Sequence, residues 1–237
     1  MKKGTAPEGG KQRYSLIKLS RQEIVALLNQ GTSHPQEVLD EMAVPTYLHW
    51  NPLITRFFWQ RYEMILRMAA PGENDHVLEF GCGLGVFLPT LYSYTKHVYA
   101  IDLFPAYAKL LCEKRQLGVR FVDRMEDIPD NQLDVLIAAD VLEHVEKPSE
   151  WFSLFRNKIK PGGCLIMSGP TENFIYHIGR ILAGFGGKGR YHKTNIFHLE
   201  KNALDAGFIL DKKETLPFKI PPFLFNILVF RNPESIN

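Results

Sequence analysis

The stretch that decides the fold is VLEFGCGLG, Val77–Gly85. A short apolar run carrying one acid, Glu79, leads into glycines at alternate positions, Gly81, Gly83 and Gly85. An apolar run of that length bounded by glycine reads as a buried strand ending in a turn, where something approaches the backbone closely. Two phosphate-binding patterns are excluded by the residues. A dinucleotide fingerprint needs a third glycine where Val86 stands, so that helix and strand can pack closely. A P-loop needs a closing Gly-Lys-Ser/Thr, which is absent.

The next strand-like run, HVYAID, ends in Asp102, 21 positions after Gly81. In a doubly wound sheet that carboxylate lies beside the glycine turn and can accept both hydroxyls of a ribose. A lone Asp there would equally serve as the N-cap of the helix that follows. Glycine turn and carboxylate together suit a nucleoside ligand without a pyrophosphate.

Downstream, strand-like and helix-like runs alternate. GVFLPTLYSY reads as a helix, PAYAKLLCEKRQ as a helix, VRFV as a strand, LDVLIAAD as a strand, PSEWFSLFRNKI as a helix and GGCLIMSGP as a strand. Near-continuous apolar strands between helices predict a parallel sheet covered on both faces. After Pro170 the rhythm changes. TENFIYHIGRILAGFGGKGRYHKTN reads as a helical stretch followed by a Gly-rich, basic, aromatic loop. IFHLEKNALDAG then returns to a helix, and FILDKKETLPF and FLFNILVFRN read as two closing strands, seven after Pro71 in all.

Upstream, the first 70 residues read as helices. SRQEIVALLNQG opens with a capping box, Ser20 and Glu23. HPQEVLDEMAVP is a short helix started by Pro35 and ended by Pro45, and a longer amphipathic helix runs from about Pro52 to Ala70. MKKGTAPEGGKQR is expected to be a disordered basic tail, without the apolar run of a secretory signal. The domain reading is therefore a tail and helical lid over residues 1–70, then a ligand-binding domain over 71–237 with a lid insertion at about 172–195.

Bulk properties narrow the class. The 237 residues are 45% hydrophobic and carry a net charge of +2, so neither a strong nucleic-acid footprint nor an acidic tail is present. No run of about 18 apolar residues suggests a membrane span. Cys82, Cys112 and Cys164 form no CxxC or metal-like spacing, which suits a reducing, cytoplasmic compartment. No cluster of acids and histidines suggests a metal.

VLEFGCGLG, VYAID, LDVLIAADVLEHV and KPGGCLIMSGP resemble, in order and spacing, the successive motifs of class I S-adenosylmethionine-dependent methyltransferases. The resemblance runs from Val77 to Pro170, and the chain is loosely similar to ubiquinone-biosynthesis O-methyltransferases. It implies a Rossmann-like α/β fold: a seven-stranded sheet of order 3-2-1-4-5-7-6, strand 7 antiparallel, with helices on both faces. It implies S-adenosyl-L-methionine as cofactor and S-adenosyl-L-homocysteine as product. The cofactor residues it implies are Glu79, Gly81, Cys82, Gly83 and Gly85, then Asp102 and Leu103, then Asp123, Met125 and Glu126, then Ala139. Met125 is expected to cover the adenine. Either Asp123 or Glu126 meets its amino group, because this chain departs from the usual pattern there. Cys82 reads as a small filler.

Asp140 ends the fourth strand beside the acceptor site, or caps a helix VLEHVEKP. His144, four residues on, shares a helical face with it and is the candidate general base. The acceptor lid is expected from Tyr47, Trp50, Tyr176, Tyr191 and His192. A basic amphipathic stretch such as FIYHIGRILAGFGGKGRYHK is able to lie on an anionic membrane surface, the competing reading being a lid packed on the sheet. The expected activity is methyl transfer to a small hydrophobic or aromatic acceptor, with no nucleic-acid partner. The alternatives are a non-catalytic cofactor-binding regulator of the same fold, or a protein methyltransferase.

Overall fold

A computed structural model describes residues 14–31, 34–171, 194–217 and 223–234. Seven strands form one sheet: β1 (Val77–Phe80), β2 (Val98–Ile101), β3 (Arg120–Phe121), β4 (Leu133–Ala139), β5 (Ile159–Pro170), β6 (Ile209–Leu216) and β7 (Phe225–Arg231). Their order is 3-2-1-4-5-7-6, the order the motif resemblance implied. Strands β1 to β5 pair in parallel, with Val77 opposite both Val98 and Val135. Strand β7 runs antiparallel between β5 and β6.

The strands alternate between two buried layers, because successive side chains point to opposite faces. Val77, Ala100, Val135, Ile137, Ile166 and Ile227 face one layer. Leu78, Tyr99, Leu136, Leu165, Leu228 and Phe230 face the other. The first layer is closed by α1 (Arg21–Gln30), α2 (Gln36–Glu41), α3 (Val44–Tyr47), α4 (Pro52–Ala69), α5 (Leu88–Tyr94) and α6 (Ala106–Lys114). The second is closed by α7 (Pro148–Lys158) and α8 (Ile196–Asp205).

The N-terminal helices are therefore part of the core as well as of the site. Helix α1 starts at the expected capping box: the Ser20 amide donates to Glu23 at 2.7 Å and the Glu23 amide donates to Ser20 Oγ at 3.2 Å. It buries Ile24 and Leu27. Helix α4 starts at Asn51, whose side chain accepts from the Leu53 amide, with Pro52 at its first position. It buries Trp59, Tyr62, Ile65 and Leu66 along one stripe, and stops at Ala70 in the left-handed region ahead of Pro71.

Three local expectations are corrected. Pro45 does not end a helix; it sits in the first turn of α3, where its missing amide proton has no helical use. The VRFV strand pairs over Arg120–Phe121 alone, and a 3-10 turn at Met125–Asp127 follows it. The predicted helix VLEHVEKP is a pair of turns, with the His144 amide donating to Val141 and the Val145 amide to Leu142.

Gly85 shows why the glycine turn tolerates no side chain on its helix side. Its φ is +74°, and a Cβ there would lie 2.8 Å from Ala108 Cβ and 2.9 Å from Ala108 Cα on α6. Gly85→Ala should combine left-handed strain with overpacking against backbone and destabilise the fold by roughly 2–4 kcal/mol. Urea unfolding of the variant checks this; a midpoint equal to wild type would show that α6 yields at no cost.

Candidate functional site

The site is built at the C-terminal edge of the parallel strands, where β1 and β4 lead their connections to opposite sides. This is the crevice in which open α/β sheets receive ligands. The loop after β1 is fixed by main-chain bonds: the Gly81 amide donates to Ile101 at 2.8 Å and the Gly85 amide to Cys82 at 2.7 Å. Asp102 ties this loop to β2. Its Oδ2 accepts from the Gly83 amide at 2.7 Å and its Oδ1 from the Phe104 amide at 2.8 Å. Asp102 does not cap α6, whose N-cap is Pro105. Each carboxylate oxygen retains a further lone pair. Gly83 has φ +52°, and a Cβ built there would make ordinary contact with Met42 at 3.8 Å, so the left-handed backbone rather than crowding calls for glycine. Gly81 is different: a Cβ there would lie 2.3 Å from Val141 Cγ2, so the side chain after Asp140 roofs it.

Behind the loop lies a buried polar cluster that the core does not neutralise. Glu79 is 1% exposed, and its Oε2 has no hydrogen-bond partner among the described residues. Burial pushes its carboxyl well above the usual carboxylate range. The Asp102 charge adds to that, and the Arg61 charge pulls the other way. Tyr47 and Tyr62 share a buried hydroxyl–hydroxyl bond of 3.2 Å, and burial raises both phenols. Burial also pushes the Cys82 thiol well up, so it is no nucleophile, in line with the small filler read from the sequence.

Arg61 is the buried cavity-lining charge that the sequence reading missed. It is 3% exposed on α4, with its guanidinium 5.2 Å from the Phe58 ring centre and 4.9 Å from that of Tyr62. It pairs with Asp140. The signal was its position on the apolar stripe: Phe58, Arg61 and Ile65 follow helical spacing, and an arginine on a buried stripe needs a partner. Asp140 also accepts from Ser168 Oγ at 2.5 Å, and its amide donates to the Ser168 carbonyl at 3.1 Å. Its φ is +53°.

Tyr47, Arg61, Tyr62, Cys82 and Asp140 border a cavity of about 900 Å³, which Glu79 and Ser168 do not line. One end is lined by Gly81, Cys82, Gly83, Asp102, Leu103 and Asp123. The other is lined by Leu53, Phe57, Phe58 and Phe225, with Ala139, Asp140 and half-buried His144 between them, and Trp151 lines it beside Phe80. Tyr47 lines it from α3. Trp50, 84% exposed, does not line it. Met125 is buried in the α7 layer rather than on the cavity wall, and Glu126 is exposed away from it. Tyr176, Tyr191 and His192, with the rest of the proposed lid insertion over 172–193, lie outside the described residues. Among the described residues no group of histidines, cysteines and acids is arranged to hold a metal, and no helix is long and apolar enough to cross a membrane.

With this geometry in view, comparison with known proteins gives the class. Residues 54–213, more than half of the 237, match the family described as a methyltransferase domain, and the chain belongs to that family. Its fold is the class I S-adenosylmethionine-dependent methyltransferase fold. A relative in Rickettsia typhi, a ubiquinone biosynthesis O-methyltransferase, is 30% identical over 117 residues, 46% of this chain and 48% of that protein. The chain thus spans about half the length of the curated relatives it matches. The N-methyltransferase NodS from Bradyrhizobium japonicum, solved with S-adenosyl-L-homocysteine, superposes with a TM-score of 0.63 at 20% identity. That match covers 84% of this chain and 98% of NodS. The [4+2]-cyclase SpnF superposes at 0.62 with 16% identity, over 94% and 99%. These likenesses show the fold; chemistry has to be argued from the site.

The Glu79 environment makes a prediction of defined sign. Its folded pKa is raised above the unfolded value, so its favourable contribution is complete below about pH 4.5 and is lost as pH rises through the folded value. Glu79→Gln removes that titration. The stability of the variant relative to the ligand-free wild type should therefore increase as pH is raised from about 5 towards 8. Denaturant midpoints across that range measure it, and a difference independent of pH would show that Glu79 ionises normally.

Proposed function

We propose that this chain binds S-adenosyl-L-methionine and transfers its methyl group in line to a small hydrophobic or aromatic acceptor. The observation that carries the reading is the make-up of the cavity, where the glycine loop, Asp102 and Asp123 from the ends of β1 to β3 share one space with Phe57, Phe58 and Phe225 from α4 and β7. Its volume stands towards the upper end of the ~300–1,000 Å³ typical of small-molecule sites, which suits two ligands side by side.

The residues present fit the cofactor. Glu79 Oε2 is a buried acid atom without a hydrogen-bond partner among the described residues, and it suits the ammonium of the amino-acid portion. Gly83 offers bare backbone, and Asp102 keeps acceptor capacity for the two ribose hydroxyls. Asp123 is the acid on the cavity wall for the adenine amino group, and it fits that place better than Glu126. The sulfonium supplies a methyl group already activated for displacement.

The protein's own part is alignment, exclusion of water and removal of a proton where the acceptor carries one. His144 stands on the wall between the two ends and is the group for that proton. Asp140 is a poor base, since both its oxygens already accept bonds from Arg61 and Ser168. Its service is to hold the turn that presents His144. Phe57, Phe58 and Phe225, within 6.0 Å of one another by ring centre, make the wall that an apolar acceptor would displace water from. Phenolic quinone precursors are the first acceptors to try, in keeping with the name of the Rickettsia relative. The basic amphipathic segment after Pro170 would bring such a lipid-like acceptor from a bilayer surface, and co-sedimentation with anionic liposomes tests that contact.

Calorimetric titration with S-adenosyl-L-homocysteine, with NADH as a parallel control, tests the cofactor. Binding of the former alone is expected; binding of NADH alone would overturn the reading. Asp102→Ala should weaken binding by roughly 1–3 kcal/mol through lost charge-assisted bonds and a freed Gly83 amide, and unchanged affinity would remove Asp102 from the site. His144→Ala should lower turnover by roughly 10²-fold or more while leaving cofactor affinity intact, if the acceptor must lose a proton. An unaffected rate would reduce His144 to a wall residue.

A further inference from the structure

Arg61 lies outside every motif of the cofactor site and 79 positions before Asp140, yet two of that site's walls hang from it. Its guanidinium is held between the Phe58 and Tyr62 rings and pairs with Asp140. Asp140 adopts φ +53°, a conformation that an L-residue keeps only when its surroundings impose it. The imposing contacts are the Arg61 pair, the Ser168 hydroxyl on the other carboxylate oxygen, and the main-chain bond from the Asp140 amide to Ser168. The residue immediately after Asp140 is Val141, whose methyls occupy the space a Cβ at Gly81 would need. The turn continues to His144, whose amide donates back to Val141.

We infer that Arg61 is a positioning residue that acts through Asp140: by fixing the Asp140 backbone it sets both the Val141 roof over the Gly81 loop and the place of His144. The inference rests on the proposed cofactor and acceptor ends of the cavity, but its physical content is a contact chain, Arg61 to Asp140 to Val141 to Gly81. Arginine suits the task and lysine does so less well. A planar guanidinium stacks on rings while its N–H groups reach sideways to a carboxylate, whereas an ammonium is a point charge that cannot stack. Removal of the cation leaves Asp140 as a carboxylate largely withdrawn from water with one partner instead of two. The turn then relaxes to relieve φ, and the roof over the glycine loop moves with it.

The test compares Arg61→Met, Arg61→Lys, Asp140→Asn and the Arg61→Met/Asp140→Asn double variant. Two readouts are taken: affinity for S-adenosyl-L-homocysteine, and amide hydrogen exchange in ligand-free protein over residues 79–86, 138–147 and, as control, 225–231. Arg61→Met is expected to speed exchange in the first two segments and not in the third, and to weaken binding tenfold or more. Arg61→Lys should fall between it and wild type. The double variant should be no weaker than Arg61→Met alone, because both changes cut the same chain. Unchanged exchange at 79–86 in the Met variant overturns the inference, as do losses that simply add in the double variant. If the Met variant does not fold, the Lys variant carries the same comparison. Absence of binding by wild type would overturn the proposed cofactor, while the exchange readout would still decide the role of Arg61.

Discussion

One carboxylate holds the site together across the sheet. Asp102, at the end of β2, accepts the Gly83 amide from the loop after β1 and the Phe104 amide from its own strand's exit. The glycines of this loop have no side chains to fix it, and a Cβ at Gly81 or Gly85 would clash with Val141 or Ala108. It has to be fixed from outside. The parallel pairing of β1 with β2 puts the Asp102 carboxylate where it can do so. The same pairing sets β1 beside β4, so Asp140 and the turn after it complete the other wall. Strand order, glycine loop and both walls of the cavity are consequences of one arrangement of parallel strands with their ends aligned.

Much of this was legible in the sequence because it is local. The alternation of apolar runs and helices from Val77 to Pro170, the capping box at Ser20 and Glu23, and the glycines flanked by Glu79 and Asp102 all follow from short-range rules. What was not legible depends on partners distant along the chain. An arginine in an amphipathic helix usually faces water, and nothing near Arg61 in sequence says that Asp140 will meet it. The helix read into VLEHVEKP failed for the same reason. Its residues have adequate helical preference, but Asp140 is held by Ser168 and Arg61, and the chain leaves it in two i to i+3 turns instead of a helix. Pro45 was misread because proline stops one helix and starts another by the same missing proton.

Glu79 sets the two functions of the core against each other. On the face it occupies, its strand neighbours above and below are apolar, and a hydrocarbon side chain would pack there without cost. Instead an acid is buried with one oxygen unpaired among the described residues, repelled by Asp102 and only partly offset by Arg61. Such a group lowers the stability of the empty protein, and a cationic ligand relieves it. A position of this kind makes sense where occupancy, not emptiness, is the state being stabilised.

The aromatic wall of the cavity joins the two ends of the chain. Phe57 and Phe58 come from α4, ahead of the first strand, and Phe225 comes from β7, the last strand, inserted between β5 and β6. On a ribosome the glycine loop and Asp102 can find each other soon after β2 emerges, since they are close in sequence. The aromatic wall cannot close until β7 has been made and has inserted between β5 and β6. The nascent chain therefore acquires its nucleoside cradle early and its apolar wall last, with Phe57 and Phe58 uncovered in the interval.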